Sequence, residues 1–455
     1  MVMLDQSVVA VALDPMAQDI GMTTVVMHWV VLVYVLSLAS FVPIGAMTAR
    51  RYGLVPTFRT GVVVFSLSSA LCGVTPAGSG AEAFVLAARA MQGAGAALML
   101  PVATTVISDV YDSHHRGRAL TTYAGVAQVF FVMGPVTGAL LTQFLGWRSV
   151  FLVNLPGGVL TLWVVGRARV PRRVSRKPLP VLQSLLVLPA LSLVVLGVYE
   201  SSVWGLAGIG VLSVGAALLI VSVRAVLVAP LPLLQLRLFR IRPYTVAVVI
   251  TFLVQAAQFP VLVHGTVYLR QQLQMSVLGS GLALLPFVVS LALGTFMSGF
   301  VLDHWQSIRV PVVGGLFAAT AGTVAWTSLL PFGTYPWMVT AMVLSGLGMG
   351  APIPALSAHM MNTVPEASRG DASVLRQMLR QLGGVFGLAL AGALLLAVND
   401  RAADQAGTVR TPATFAVFVA ADAVLGCAAT LAATALPKKT AAARPRFSSL
   451  SRRAR

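Results

Sequence analysis

Two charged residues lie in segments that are otherwise apolar and long enough to span a membrane. Asp5 lies in the first of these segments, and Arg89 lies in the fourth, one helical turn before the run Gln92-Gly93-Ala94-Gly95. A charge at membrane depth is costly unless it faces the protein interior or a wet cavity, which makes such residues candidates for function. We predict that Asp5 and Arg89 couple transport to protons, with the carboxyl taking up a proton from one side and releasing it to the other. The alternative is a permanent ion pair that only locks the helices together.

The composition identifies the setting of these two residues. Of the 455 residues, 57% are hydrophobic and 10% are charged, whereas a soluble domain has about 25% charged residues. The chain is therefore predicted to be an integral membrane protein. Its two cysteines lie in apolar segments and suggest neither a disulfide framework nor a metal site. Since no phosphate-binding loop and no nucleophile motif occur, we expect no cofactor, no metal and no enzymatic activity.

The apolar segments predict an all-α protein with fourteen transmembrane helices, at about 20 residues per crossing. The segments begin near Met1, Val25, Phe58, Ala83, Leu120, Ser149, Val181, Leu206, Thr245, Ser276, Val310, Trp337, Met378 and Ala413. A thirteenth helix that starts near Met378 leaves Arg376 in the preceding loop and Arg380 at the helix entrance, both on the cytoplasmic side.

The distribution of basic residues predicts the orientation. If the amino terminus is cytoplasmic and every segment spans, most of the 31 Lys and Arg residues fall on the cytoplasmic side. Both termini are then cytoplasmic, in a multi-pass protein of the cell membrane. The net charge of +18 is explained by loops that contact anionic lipid headgroups. Nucleic acid is not an expected partner, because the basic residues are scattered among loops.

Two short turns suggest an internal repeat. Gly45, Arg50, Arg51 and Gly53 follow the second segment, and a similar turn with Asp303 follows the tenth. Parallel repeats of six helices build many secondary transporters, although any short basic loop with a glycine could give this match. The first turn is predicted to gate the cytoplasmic side by pairing with carboxylates or helix carboxyl ends.

The predicted organisation follows from this repeat if the seventh and eighth segments are an inserted hairpin. It comprises an N-terminal six-helix bundle (1–168), a basic cytoplasmic linker (169–180), the transmembrane hairpin (181–228), a C-terminal six-helix bundle (229–437) and a basic cytoplasmic tail (438–455).

Several motifs in order along the chain together carry a resemblance to a known family. They are the opening run from Leu4 to Leu13, Trp29 and Tyr34 in the second segment, the run from Arg89 to Ala97, Gly134-Pro135 with Gly138, Gly146-Trp147-Arg148 with Phe151, Asn154 and Pro156, the run from Leu236 to Arg240, Gly346 to Gly350, and Arg380-Gln381 with Gly383-Gly384. Because of these motifs, the chain resembles the fourteen-helix drug/proton antiporters of the major facilitator superfamily over nearly its whole length.

The resemblance implies the major facilitator fold, two six-helix bundles with an inserted hairpin, and assigns a gating role to the fifth-helix motif. Pro135 removes a backbone donor and kinks the helix, while Gly134 and Gly138 let another helix approach, which predicts a tight seam between the halves on the outer side. The chain departs from the family at Ala49, where an aspartate is usual. It also begins several residues into the family's first helix, so either residues precede Met1 or that helix is short.

Amide and aromatic side chains in the apolar segments are the candidates for substrate contact. An aromatic and amide-lined cavity suits flat, amphipathic organic molecules. The candidates are Trp29, Tyr34, Gln92, Gln128, Phe131, Gln255 and Gln258.

Proton-coupled export of small amphipathic compounds such as drugs or secondary metabolites, by alternating access, is therefore the predicted function, with antibiotic resistance as a consequence. The chain is expected to act as a monomer with the small molecule, protons and lipid as its partners. One alternative is an importer of a small metabolite, proton-coupled or facilitative, on the same fold. A second is a membrane receptor or assembly partner that does not transport.

Overall fold

The computed structural model describes residues 1–76, 78, 80–110, 116–167, 181–204, 206–228, 235–305, 307–365, 368–403 and 411–436. Seventeen α-helices run through this part of the chain, joined mostly by short turns. A chain surrounded by hydrocarbon has to satisfy its backbone hydrogen bonds internally, and helices do this within a single segment. The predicted linker 169–180 and tail 438–455 lie outside the described residues.

The first half of the chain forms seven helices, of which the last two make up one crossing. Their bounds are α1 Val2–Ile20, α2 Thr24–Tyr52, α3 Leu54–Gly73, α4 Ala81–Val110, α5 Arg116–Leu145, α6 Arg148–Leu152 and α7 Asn154–Arg167.

Two helices, α8 Val181–Trp204 and α9 Leu206–Val228, pack tightly on each other and form a hairpin between the halves of the sequence. Gly197 of α8 and Gly215 of α9 face the partner backbone closely. The α8 helix also packs on α2 and on a helix of the second half. The hairpin therefore contacts both halves of the molecule through α8.

The second half forms eight helices, with three short non-α turns. The helices are α10 Arg242–Gln271, α11 Val277–Ala283, α12 Leu285–Trp305, α13 Gly315–Leu329, α14 Tyr335–Gly350, α15 Pro352–Thr363, α16 Arg369–Ala403 and α17 Thr411–Ala435, and the turns are Leu236–Arg240, Val310–Gly314 and Leu330–Phe332.

Twelve crossings in the described residues are long and apolar enough to span a membrane. The two remaining predicted segments also form helices, α1 and α8. The α1 helix carries three carboxylates, Asp5, Asp14 and Asp19, and the apolar stretch recognised within α8 is only Pro189–Val198. The all-α prediction is thus confirmed, whereas twelve of the fourteen predicted spans are long and apolar enough to cross a membrane.

The predicted start of the thirteenth segment is wrong. The α16 helix begins at Arg369, nine residues before Met378, so Arg376 and Arg380 lie inside the helix and not at its entrance. At 1.5 Å of rise per residue, these two residues are about 10 Å and 16 Å from the start of the helix. The run Arg369-Gly-Asp-Ala-Ser resembles a polar loop, which concealed the true helix start.

Glycines set the close contacts that fix α1 and α4 in the first half. A Cβ on Gly134 of α5 would lie 1.8 Å from the Oγ of Ser7, and one on Gly93 of α4 would lie 2.3 Å from the carbonyl oxygen of Tyr34. Ser7 also donates a hydrogen bond of 2.8 Å to the carbonyl of Phe131. These contacts hold the helices that carry Asp5 and Arg89 at a fixed spacing.

The Gly134→Ala variant should destabilise the protein, because its new methyl group collides with Ser7 and pushes α1 away from α5. Overpacking of this kind costs about 1–3 kcal/mol. Thermal unfolding of the purified protein in detergent measures the effect as a lower midpoint. Gly426→Ala on α17, where no atom lies within 4 Å of the new Cβ, is the control and should unfold close to the wild type. Equal midpoints for the two variants would contradict the close contact.

Candidate functional site: a buried acid–arginine cluster

Asp5 and Arg89 meet in the interior of the first half. An oxygen of Asp5 lies 2.8 Å from a terminal nitrogen of Arg89, and the two side chains are 0% and 1% exposed. The pair therefore faces protein and not lipid. The predicted proximity of the acid and the base is present, while their role in moving protons remains a prediction.

Three amide and hydroxyl side chains complete the environment of the carboxylate. Gln92 and Asn154 donate hydrogen bonds of 2.9 and 3.2 Å to the other oxygen of Asp5. Both amides also donate to the hydroxyl of Ser69, which in turn donates to the carbonyl of Phe151. We call Asp5, Ser69, Arg89, Gln92 and Asn154 the acid–arginine cluster. Asp5 accepts three hydrogen bonds in this cluster, which suits an ionised carboxylate.

Arg89 has further partners that do not depend on Asp5. Its Nε donates to the carbonyl of Val30 at 3.1 Å, and a terminal nitrogen donates to the amide oxygen of Gln92 at 2.6 Å. The guanidinium also lies 4.2 Å from the centre of the Tyr34 ring, in cation–π contact. The guanidinium can therefore remain charged and partnered when Asp5 takes up a proton.

The cluster joins four helices of the first half. Asp5 belongs to α1, Ser69 to α3, Arg89 and Gln92 to α4, and Asn154 to α7. Protonation of one carboxyl would weaken the bonds that hold α1 to α4 and α7, because a protonated acid loses part of its acceptor capacity and its charge. The arrangement can thus convert a proton into a change of helix packing.

Sequence reasoning missed Ser69 and did not assign Asn154 to this site. Asn154 stood in a recognised motif, at the entrance to the sixth crossing, but its sequence distance from Asp5 hid the contact. Ser69 is one of several serines in α3, and no pattern distinguishes it.

The predicted substrate residues divide between the two halves. Gln92 belongs to the acid–arginine cluster, and the ring of Tyr34 contacts its Arg89. Phe131 is buried on α5, while Trp29 and Gln128 are half-buried. Gln255 and Gln258 lie on α10, far along the chain, and both are buried. The oxygen of Gln255 accepts a hydrogen bond of 2.9 Å from the Nε of Arg380.

The predicted gating turn contacts the other half. Arg50 of α2 forms an ion pair with Asp371 of α16. Gly53 has a φ of 102°, a conformation that favours glycine, and its N–H closes the end of α2 on the carbonyl of Ala49. Gly45 packs against the backbone of α4 at Ala97, and Arg51 lies over the ring of Tyr52. The side chain of Asp303 lies outside the described residues. Asp371 was not anticipated, because it was assigned to a loop.

The fifth-helix motif faces two neighbours. Gly134 and Gly138 pack against α1 of their own half, at Ser7 and Val8. The carbonyl of Pro135 lies close to Gly281 of α11, at a contact between the two halves. Pro135 therefore lies at a contact between the halves, and the glycines position the helix that carries Asp5, while the gating role of this motif remains a prediction.

Polar contacts at the opposite end from Arg50 also join the halves. Asp14 of α1 pairs with Arg270 of α10 at 3.3 Å, and the ring centres of His28 and His264 lie 5.5 Å apart. The oxygen of Gln143 on α5 accepts a bond of 3.2 Å from the backbone of Leu278. Each end of the molecule thus has an ion pair that links one half to the other.

These features define a helical membrane transporter, and comparison with known proteins places it. The family model described as Major Facilitator Superfamily matches residues 1–388, and the chain belongs to this superfamily. It is 33% identical over 447 residues to the cephamycin export protein of Amycolatopsis lactamdurans, covering 96% of this chain and 89% of that protein. It is 29% identical over 404 residues to the tetracenomycin C resistance and export protein of Streptomyces glaucescens, covering 87% and 73%.

A solved structure shows the same fold. The D-xylose–proton symporter matches with a TM-score of 0.64 at 14% identity, covering 96% of this chain and 95% of the symporter.

Asp5 and Arg89 should make strongly non-additive contributions to the free energy of unfolding. Arg89→Gln leaves a buried carboxylate without its cation, and breaking a buried pair from one side costs about 3–5 kcal/mol. The double variant Asp5→Asn/Arg89→Gln removes both charges and should recover a large part of that loss. Thermal unfolding of the four proteins of the cycle measures the coupling, and Arg59→Gln, an exposed arginine on α3, is the control. Additive effects of the two single changes would rule out the coupling.

Proposed function

We propose that the chain is a proton-driven exporter of small organic molecules in the cell membrane, with both termini in the cytoplasm. The buried Asp5–Arg89 pair is the observation that carries this proposal, because it is an ionisable pair at membrane depth tied to several helices. The names of the relatives, which describe export of cephamycin and of tetracenomycin C, support the direction. The chain works as a monomer and needs no cofactor beyond the proton gradient.

The transport cycle follows from the position of α1. Asp5 lies in the acid–arginine cluster, while Asp14, nine residues further along the same helix, pairs with Arg270 of the second half. A proton on Asp5 loosens α1 from α4 and α7, and the loosened helix transmits this to the contact between the halves. Release of the proton restores the hydrogen bonds and the first arrangement. Proton binding is thereby tied to the state that releases substrate outside, and proton release to the state that binds substrate inside.

Asp5→Asn and Arg89→Ala should each abolish proton-coupled efflux, because neither variant keeps the ion pair that a proton would break and restore. The measurement is transport of a panel of drug-like compounds driven by an imposed pH gradient in proteoliposomes. Asp19→Asn is the matched control, since this carboxylate lies on the same helix, is 47% exposed and pairs with the exposed Arg148, and an asparagine can still accept the hydrogen bond that Trp147 donates to it. Its efflux should equal that of the wild type. Full efflux in the Asp5 variant would mean that the pair is a static lock.

The sign of proton movement separates export from import. For an antiporter, adding a transported compound to the purified protein should release protons, which a pH indicator in weak buffer detects. Proton uptake on substrate addition would instead identify a symporter, and the proposed direction would be wrong.

Alternating access requires each end of the molecule to open in turn. Linking either inter-half ion pair, Arg50→Cys/Asp371→Cys at one end or Asp14→Cys/Arg270→Cys at the other, with a short bis-maleimide should therefore stop efflux. Efflux measured before and after linking provides the test, in a background with the native Cys72 and Cys427 replaced. The same pairs treated with a mono-maleimide are the control. Continued efflux in a fully linked pair would contradict movement at that end.

A further inference from the structure

A second charged group lies in the other half of the molecule, away from the acid–arginine cluster. Arg376 and Arg380 are four residues apart on α16, so they share one side of the helix, and both are half-buried. Gln255 of α10 is buried, and its amide oxygen faces Arg380. We call Arg376, Arg380 and Gln255 the arginine–glutamine cluster.

No acidic partner of the cluster occurs among the six carboxylates whose side chains the structure describes. Each of these six has a partner elsewhere: Asp5 pairs with Arg89, Asp14 with Arg270, Asp19 with Arg148 and Asp371 with Arg50, while one oxygen of Asp422 accepts from Thr327 and Glu82 accepts from the backbone of Thr23. Asp371 is the nearest acid along α16, and its ion pair with Arg50 directs it toward α2.

The polar atoms of the cluster are only partly satisfied within the described chain. Arg380 is held by the neutral amide oxygen of Gln255, which orients the guanidinium without cancelling its charge. The Nε of Arg376 is buried and has no hydrogen-bond partner in the described residues. Two like charges on one side of a buried helix repel each other, and unpaired buried donors are costly. Binding of an anion would stabilise such a site, because it would reduce the repulsion between the arginines and accept their hydrogen bonds.

The cluster also lies on a helix that contacts the other half. The α16 helix, which carries both arginines, packs on α2 of the first half. The Arg50–Asp371 ion pair, which links the halves, lies on the same helix five residues before Arg376. The two arginines are therefore at the contact between the halves, where alternating access exposes a binding site.

We propose that the arginine–glutamine cluster binds the anionic group of the exported compound, so that the substrates are organic acids and not lipophilic cations. A carboxylate or sulfonate can accept hydrogen bonds from the guanidinium groups, for which the planar fork of arginine is suited, while the amide of Gln255 orients Arg380. This rests on the proposed export function. The separation from Asp5 lets the molecule bind an anion and a proton at different places.

The test uses matched aromatic probes with the full chain in nanodiscs of zwitterionic lipid, which removes anionic headgroups as competing ligands. Naphthalene, anthracene and coumarin rings each carry a carboxylate, a carboxamide or an aminomethyl group. In at least one ring series the carboxylate should bind tighter than the carboxamide by about tenfold or more, as expected for hydrogen bonds to a charged group. Isothermal titration gives the dissociation constants.

The variants assign the preference to the cluster. Arg376→Gln and Arg380→Gln should each weaken carboxylate binding while the carboxamide affinity stays as in the wild type, and the double variant should remove the preference. Arg376→Lys and Arg380→Lys keep the positive charge and should keep part of the carboxylate preference, which separates loss of charge from loss of folding. Arg237→Gln, an exposed arginine outside the cluster, should change nothing. Adding phosphatidylglycerol to the nanodiscs should not displace the acid.

Three results would overturn the assignment: no probe binding, a preference for the carboxamide or the amine in every series, or a carboxylate preference that survives in the double variant. Displacement of the acid by phosphatidylglycerol would reassign the cluster to a lipid headgroup. Proton-driven efflux of neutral or cationic compounds without carboxylate preference would leave export standing and remove the anion site. Carboxylate binding without proton-driven flux would support the anion site and contradict the proposed export function.

Discussion

The cost of a charge in a low-dielectric interior is the constraint on which this structure depends. Asp5 and Arg89 are almost completely buried, and neither could remain ionised there without the other and without further hydrogen bonds. The protein satisfies both groups with side chains from α1, α3, α4 and α7, so the same bonds that stabilise the charges also set the packing of the first bundle. Stability and the capacity to respond to a proton thus come from one set of atoms.

Close helix contacts position the two helices that carry this pair. Gly93 lets α4 pack closely on α2, and Gly134 lets α5 pack closely on α1, where a Cβ atom would collide. Dispersion and hydrogen bonding drive association between membrane helices, because lipid is as apolar as leucine. Small residues and the polar cluster therefore act together, the former by permitting contact and the latter by stabilising it.

Sequence patterns predicted the helices, the family and the meeting of Asp5 with Arg89, because long apolar runs and an isolated acid and base carry strong signals. They did not predict Ser69, since a serine in an apolar helix has no distinguishing pattern, or the Arg50–Asp371 pair. Helix boundaries were the weakest point. Placing the start of α16 at Met378 moved Asp371 and Arg376 into a loop and Arg380 to the helix entrance, and thereby hid one contact between the halves and a group of buried cations.

The two halves solve the problem of buried charge differently, and that difference has a physical consequence. In the first half the arginine has its own carboxylate, so the charges of the site are balanced. In the second half, within the described side chains, Arg380 bonds to the neutral amide of Gln255 and the Nε of Arg376 has no partner, so the positive charges are not balanced. Under the proposed function, the first site is the one that a proton switches and the second is the one that the substrate completes. The unequal distribution of carboxylates between α1 and α16 is what would separate these two tasks.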